Sequence, residues 1–217
     1  MIRAVLFDFD GLMVNSEPIQ TKAFEIILKK YGKAPIPNAQ GLIHEPGVAE
    51  HINTKNILKQ YVINEKIETF IKRREVVYLR LLKLDITPMT GFLSLVKKLN
   101  RKKIKMAIAS SSPKNQIDIV ISKFGIKKYF HAVISRDDVK KLKPHPDIYL
   151  KAVKNLKENS SECIALEDSE SGVLAAKNAG VYVIAVPNKY TKHQDFSQAD
   201  MIIDSLFEFH ELLKNFL

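Results

Sequence analysis

A chain of 217 residues, 46% hydrophobic and 27% charged, holds enough apolar material for one core of ordinary size and an appendage, and is neither disordered nor fibrous. No run approaches the ~20 apolar residues that span a bilayer, and Met1-Ile2-Arg3 leads into a strand-like stretch without a secretory-signal pattern, so a cytoplasmic protein is expected. The net charge of +10 favours anionic ligands, but the basic residues are scattered over apparent helix ends with no nucleic-acid motif, which argues against a nucleic-acid partner.

In chain order, residues 2–7 form the first apolar run and read as a strand. Residues 16–84 then carry a helical pattern. Ala23, Phe24, Ile26, Ile27 and Leu28 recur at helical spacing, as do Ile67, Phe70, Ile71, Val77, Leu81 and Leu82, while Pro35, Pro37, Gly41, Pro46 and Gly47 punctuate the loops. Pro88 and Gly91 mark a return to alternation: strand 105–109, helix 115–124 closed by Gly125, strand 132–134, helix 147–156, strand 163–166, helix 172–179 closed by Gly180, strands 181–186 and 201–203, and a last helix over 206–216. Strands alternating with helices predict an α/β fold with a parallel sheet, built from 1–15 and 89–217, interrupted by an all-helical insert over 16–88. The single cysteine, Cys163, permits no internal disulfide and reads as a buried strand thiol.

Four clusters carry candidate chemistry. Asp8-Phe9-Asp10-Gly11 ends the first strand, where two carboxylates and a tight glycine exit suit a nucleophile and a cation; the plain alternative is a polar turn. Ser110-Ser111-Ser112-Pro113 follows the second strand. Its hydroxyls and free N–H groups suit a phosphate, with Ser112 as helix N-cap and Pro113 in the first helical turn; helix capping alone is the competing reading. In Lys143-Pro144-His145-Pro146-Asp147 a lysine precedes a proline-stiffened helix start and can offset the repulsion between a carboxylate and a phosphoryl group, with His145 a bystander. Glu167-Asp168-Ser169 ends the fourth strand, with Gly172 opening the next helix; the acids suit an oxygen-ligated cation, and capping by Asp168 or Ser169 is the alternative. Three clusters at strand ends and one at a helix start gather Asp8, Asp10, Ser110, Lys143 and Asp168 in one crevice.

Those motifs, Asp8-Phe9-Asp10-Gly11-Leu12, Ala109-Ser110-Ser111, Lys143-Pro144 with Pro146-Asp147, and Leu166-Glu167-Asp168-Ser169 with Gly172, resemble the haloacid dehalogenase superfamily, in its β-phosphoglucomutase-like phosphatase branch, over essentially the whole chain. The resemblance implies a Rossmann-like core with a helical cap, and a hydrolase that transfers a phosphoryl group to Asp8 and then to water. It implies Asp10 as general acid and base, Ser110 and Lys143 on the phosphoryl group with Gly11 and Ser111 beside them, and Mg2+ held by Asp8, Asp168 and the Asp10 backbone carbonyl, with Glu167 in support. Dehalogenases of the superfamily lack the second aspartate, so Asp10 points to phosphoryl transfer, and the family often has Asp where this chain has Asn15. The implied partner is a small phosphorylated metabolite, sugar phosphate or nucleotide-like, handled by a monomer. Two alternatives stand beside this reading: a sugar-phosphate mutase, and, more distantly, an inactive basic binding protein. The β-phosphoglucomutases carry a histidine on the first cap helix, absent from Glu17-Pro18-Ile19-Gln20-Thr21-Lys22. They also carry a lysine and an arginine around a cap-loop glycine, where this chain has Gln40, Gly41 and His44; Lys55 and Arg74 are the cations available to replace them.

Overall fold

The computed structural model describes residues 2–216; Met1 and Leu217, the outermost residues of the expected core, lie outside them. The chain divides into two compact units, Met1–Val14 with Pro88–Leu217 and Asn15–Thr87.

The larger unit is a six-stranded, all-parallel sheet in the order β3-β2-β1-β4-β5-β6. Its strands are β1 (Ala4–Phe7), β2 (Lys105–Ala109), β3 (Ala132–Ile134), β4 (Cys163–Glu167), β5 (Tyr182–Ala185) and β6 (Met201–Ile202). Their apolar runs are continuous because helices cover both faces of a parallel sheet. On one face Ala4, Leu6, Ala107 and Ala165 pack with Ile148, Tyr149 and Ala152 of α6 (Asp147–Leu156) and Val173 and Ala176 of α7 (Glu170–Asn178). Phe7 turns the other way, meeting Phe92 of α4 (Phe92–Arg101) and Phe130 edge-on, each with ring centroids 5.9 Å apart. A ring buried this fully contributes about 2–3 kcal/mol. Helices α5 (Lys114–Lys123) and α8 (Leu206–Leu212) complete the unit.

The smaller unit is all-helical: α1 (Glu17–Lys30), α2 (Glu50–Gln60) and α3 (Ile67–Asp85). Phe24, Ile27 and Leu28 of α1, Ile57 and Leu58 of α2 and Phe70 of α3 form its own apolar core with Ile43 and Tyr61.

Several expected boundaries move. The terminal helix stops at Leu212 and tightens into a 3₁₀ turn over Leu213–Asn215 instead of running to 216. Pro113 lies ahead of α5 in extended conformation, and Ser112 makes no capping bond because its hydroxyl is used elsewhere. Gly172 sits inside the first turn of α7, which begins at Glu170 and is capped by Ser169, whose hydroxyl accepts from Gly172 N at 3.2 Å. Gly125 and Gly180 close their helices in left-handed conformation.

Candidate active site

Strand order reverses around β1: β2 and β3 extend on one side of it, and β4 returns on the other. Ligands of doubly wound sheets bind at the carboxyl ends of the strands at such a point. Phe7 pairs with Leu166, so Asp8 and Glu167 emerge side by side. Asp8 is nearly buried and Glu167 wholly so, and adjacent buried carboxylates require a counter-charge. Lys143 provides it, with Nζ 2.5 Å from Asp8 Oδ1 and 2.6 Å from Glu167 Oε1. The same ammonium lies 5.1 Å from the centroid of the Tyr149 ring, whose hydroxyl donates to Glu167 Oε1 at 2.5 Å.

These contacts set the electrostatics. Burial pushes the Asp8 carboxyl well above its usual range; Lys143 pulls it back, and Glu167 and Asp10 push it up again. Burial pulls the Lys143 ammonium down, but the Asp8 and Glu167 carboxylates outweigh it and hold the group above the ordinary lysine value. Burial, then Glu167 and Asp8, keep the Tyr149 phenol protonated far above its usual range.

Asp168 follows Glu167 and is buried. Asp8, Glu167 and Asp168 each bring a carboxylate oxygen within 4.8 Å of the others. An all-oxygen, anionic donor set facing a single lysine fits a hard divalent cation. Two glycines make the crowding possible. A Cβ on Gly11 (φ +78°) would lie 2.1 Å from Asp168 Oδ2, and one on Gly172 would lie 2.0 Å from Glu167 Cδ.

The serine segment forms a second group. Phe7 pairs with Ile108, so Ser110 lies just beyond Asp8 on the neighbouring strand. Its buried hydroxyl accepts from Ser112 N at 2.9 Å, Ser111 is half-buried, and the Ser112 hydroxyl donates to Asp10 Oδ2. Asp8, Gly11, Lys143, Glu167 and Asp168 thus come together, while the Asp10 side chain stands outside the carboxylate cluster and faces Ser112. His145 is exposed, and its N–H donates to Leu142 O at 3.0 Å. Cys163 is buried in β4, which pushes its thiol up to about 12, so it is no nucleophile.

Two participants escaped the sequence reading. Tyr149 reads as one more apolar residue on the buried face of α6, and only its hydroxyl betrays the site. Asn188, after β5, reads as a turn residue, yet its Nδ2 donates to Asp168 Oδ2 at 2.7 Å.

In the helical unit, His44 and Arg74 are already engaged. His44 Nε2 lies 2.5 Å from Glu17 Oε2, and both are buried. Arg74, 3% exposed, donates to Gln20 Oε1 and Glu50 Oε1 and lies over the Phe24 ring, 4.6 Å from its centroid. Lys55 is exposed, and Gln40 sits in a turn with its N–H on Asn38 Oδ1 at 3.1 Å.

Comparison with known proteins agrees with this fold. The family model described as haloacid dehalogenase-like hydrolase matches residues 5–186. The phosphorylated carbohydrates phosphatase of Thermotoga maritima is 31% identical over 83% of this chain and 82% of its own. The (DL)-glycerol-3-phosphatase 2 of Arabidopsis thaliana is 31% identical over 96% of this chain and 89% of its own. Among solved structures, CbbY from Rhodobacter sphaeroides, crystallised with xylulose-(1,5)bisphosphate, superposes with a TM-score of 0.79 at 26% identity, covering 96% of both chains. No helix among the described residues is long and apolar enough to cross a membrane. With its parallel sheet, helical insert and carboxylates at the strand-order reversal, the chain belongs to the haloacid dehalogenase-like hydrolases, as an enzyme of the phosphatase kind.

Proposed function

We propose that the protein is a magnesium-dependent phosphatase for small phosphate monoesters, sugar and polyol phosphates first, working through a phosphoryl group held on Asp8. The observation that carries this reading is the Lys143 ammonium bridging Asp8 and Glu167 at the ends of β1 and β4. It keeps a carboxylate nucleophile in place and can meet an incoming phosphoryl oxygen.

Asp8, Asp168 and the Asp10 carbonyl, supported by Glu167, are the groups that would hold magnesium. When bound it supplies Lewis acidity and neutralises the charge shared by carboxylate and phosphate. Asp8 attacks phosphorus in line; the new bond to Asp8 forms as the bond to the ester oxygen breaks. Asp10 gives its proton to the leaving oxygen. It then takes one from the water that attacks phosphorus, so that inorganic phosphate leaves and the Asp8 carboxylate is restored. The Ser112 hydroxyl orients the Asp10 carboxyl for both transfers. Lys143, Ser110 and Ser111 hold the phosphoryl oxygens, beside the Gly11 turn, whose own N–H is spent on Val14 O at 2.8 Å.

Thermotoga and Arabidopsis relatives named for phosphorylated carbohydrates and glycerol 3-phosphate support sugar and polyol esters as substrates. The cap supports hydrolysis over mutase chemistry. A mutase needs cationic groups there for a second phosphate, and here Arg74 is matched by Glu50 and His44 by Glu17. The test is phosphate release from a panel of sugar phosphates, glycerol 3-phosphate and mononucleotides, with magnesium and after chelation. Magnesium-dependent release from sugar or polyol phosphates is expected. Full activity after exhaustive chelation would remove magnesium from the reading. Conversion of β-glucose 1-phosphate to glucose 6-phosphate faster than any ester is hydrolysed would replace it by the mutase.

A further inference from the structure

The turn after β5 reaches into the carboxylate cluster through one side chain. Val186 N donates to Glu167 O at 2.6 Å, which ties the end of β5 to the end of β4. Two residues later the Asn188 amide uses every hydrogen-bonding group it has. Nδ2 donates to Gly11 O at 3.1 Å and to Asp168 Oδ2 at 2.7 Å, while Oδ1 accepts from Tyr190 N at 2.8 Å. The backbone is spent as well: N donates to Thr191 Oγ1 at 3.1 Å, and O accepts from Thr191 N at 3.1 Å and Lys192 N at 3.0 Å. The amide has one allowed orientation. Turned over, its oxygen would face the Asp168 carboxylate and the Gly11 carbonyl, and its NH2 would face the Tyr190 N–H. The side chain packs close against the Gly11 turn, since a Cβ on Gly11 would come within 2.8 Å of Asn188 Nδ2.

We infer that Asn188 is a positioning residue for the divalent-cation site: its amide clamps the Asp168 carboxylate against the Gly11 turn and so joins the loop that carries Asp8 and Asp10 to the acids of β4. A carboxylate free to rotate must be ordered each time a cation binds; one held by a charge-assisted hydrogen bond is already ordered. The inference rests on the cation site proposed above and concerns how tightly that site binds, not which group attacks phosphorus.

The experiment is isothermal titration of the chelator-stripped protein with magnesium chloride. The proteins compared are the wild type, Asp168→Ala, Asn188→Ala, Asn188→Ser and Thr191→Ala. Asn188→Ser retains a hydroxyl that can accept from Tyr190 N and preserve the turn, but it is too short to bridge Gly11 and Asp168. Thr191→Ala loosens the same turn without touching Asp168. Both Asn188 variants are expected to bind magnesium roughly 10–100-fold more weakly. Thr191→Ala is expected to stay within about threefold, because the hydrogen bond it removes, from Asn188 N to the buried Thr191 hydroxyl, holds the turn and does not reach Asp168. Phosphatase activity of Asn188→Ser should return to within a few-fold of wild type at saturating magnesium, while its half-saturating magnesium rises with the binding constant. Wild-type affinity in both Asn188 variants overturns the inference, as does an equal loss in Thr191→Ala, which would assign the effect to the turn. A wild type with no binding that depends on Asp168 overturns the cation site itself, and the role of Asn188 with it; that result is distinct from an intact site indifferent to Asn188.

Discussion

The core and the cap both bury charge, and they do so to opposite ends. At the strand ends, Asp8, Glu167 and Asp168 crowd around one lysine, so like charges remain uncompensated and burial drives Asp8 away from its ionised form. In the cap the buried polar side chains are matched: Arg74 has Glu50 and the faces of Phe24 and Tyr78, and the His44 ring has Glu17. Imbalance is what a site keeps when a cation and an anionic substrate are to complete it, and balance is what a scaffold needs. Substitutions should therefore separate, with core changes acting on rate and cap changes on stability.

The largest effect should come from Asp8. Asp8→Asn removes the proposed nucleophile and should lower kcat by at least ~1000-fold. It also removes one of the crowded carboxylates while leaving an amide oxygen for Lys143, so the melting temperature of the chelator-treated protein should not fall. A large drop in melting temperature would mean that the core cluster is a structural ion network and would erase the contrast with the cap.

Arg74→Ala should do the reverse. It strips Glu50 and Gln20 of their donor and two aromatic rings of a cation, at a cost of about 2–4 kcal/mol. In a chain of this size that lowers the melting temperature by roughly 5–15 °C. Arg74→Lys retains the charge but not the planar fork and should lose about half as much. Thermal unfolding followed by circular dichroism reads both. Loss of phosphatase activity in Arg74→Lys without loss of stability would show the guanidinium engaged with substrate rather than with the scaffold.

The two regions also differed in how far the sequence disclosed them. Strand ends in a parallel sheet face one way, so Asp8, Ser110, Glu167 and Asp168 could be placed together from strand order alone. Lys143, ahead of a proline-bounded helix start, could be added to them. Residues whose role depends on what arrives from elsewhere were not legible. Tyr149 has the spacing of an ordinary core residue on α6, and Asn188 the look of a turn former. Ser112 has the position of a helix cap, but Asp10 takes its hydroxyl. Gly172 reads as the opening of a helix; it lies within the first turn, and it is a glycine there because the Glu167 side chain occupies the space a Cβ would need. In the cap the helical periods were plain. The pairings of His44 and Arg74 were not, since each partner lies on a different element and nothing in local spacing links them.

Ser112→Ala tests the core half of the contrast more finely. Its hydroxyl serves Asp10 and does not cap α5. The variant should slow hydrolysis of alkyl phosphates about tenfold, within the range of a misplaced general acid. A nitrophenyl ester, whose leaving group needs little protonation, should be affected less. Stability should fall by about 0.5–1.5 kcal/mol, the net contribution of one hydrogen bond, since no cap is lost. Equal slowing of both esters would detach Ser112 from proton transfer.

The smallest effect asks whether location at the strand-end edge is enough to make an acid functional. Asp138 stands four residues beyond the end of β3, on that same edge, but its carboxylate is already spent: Oδ2 accepts from Ser135 N at 2.9 Å and Ser135 Oγ at 2.8 Å, and Lys151 Nζ lies 3.6 Å from Oδ1. The Ser135 backbone bond holds its pKa below the ordinary aspartate value; burial works against it, and the Ser135 hydroxyl and Lys151 add to the lowering. A carboxyl whose folded-state pKa is depressed stabilises the fold above its unfolded pKa of about 3.9 and loses that contribution as pH falls through the folded value. Asp138→Asn should therefore cost about 0.5–1 kcal/mol at neutral pH, a figure already reduced for screening at a carboxylate about one-third exposed. The difference in melting temperature from wild type should shrink below about pH 4, and kcat at neutral pH should be unchanged. If kcat fell with stability intact, the edge itself rather than the imbalance of charge would mark the functional acids. If the stability difference persisted at low pH, it would belong to the shape of the turn and not to the ionised carboxylate.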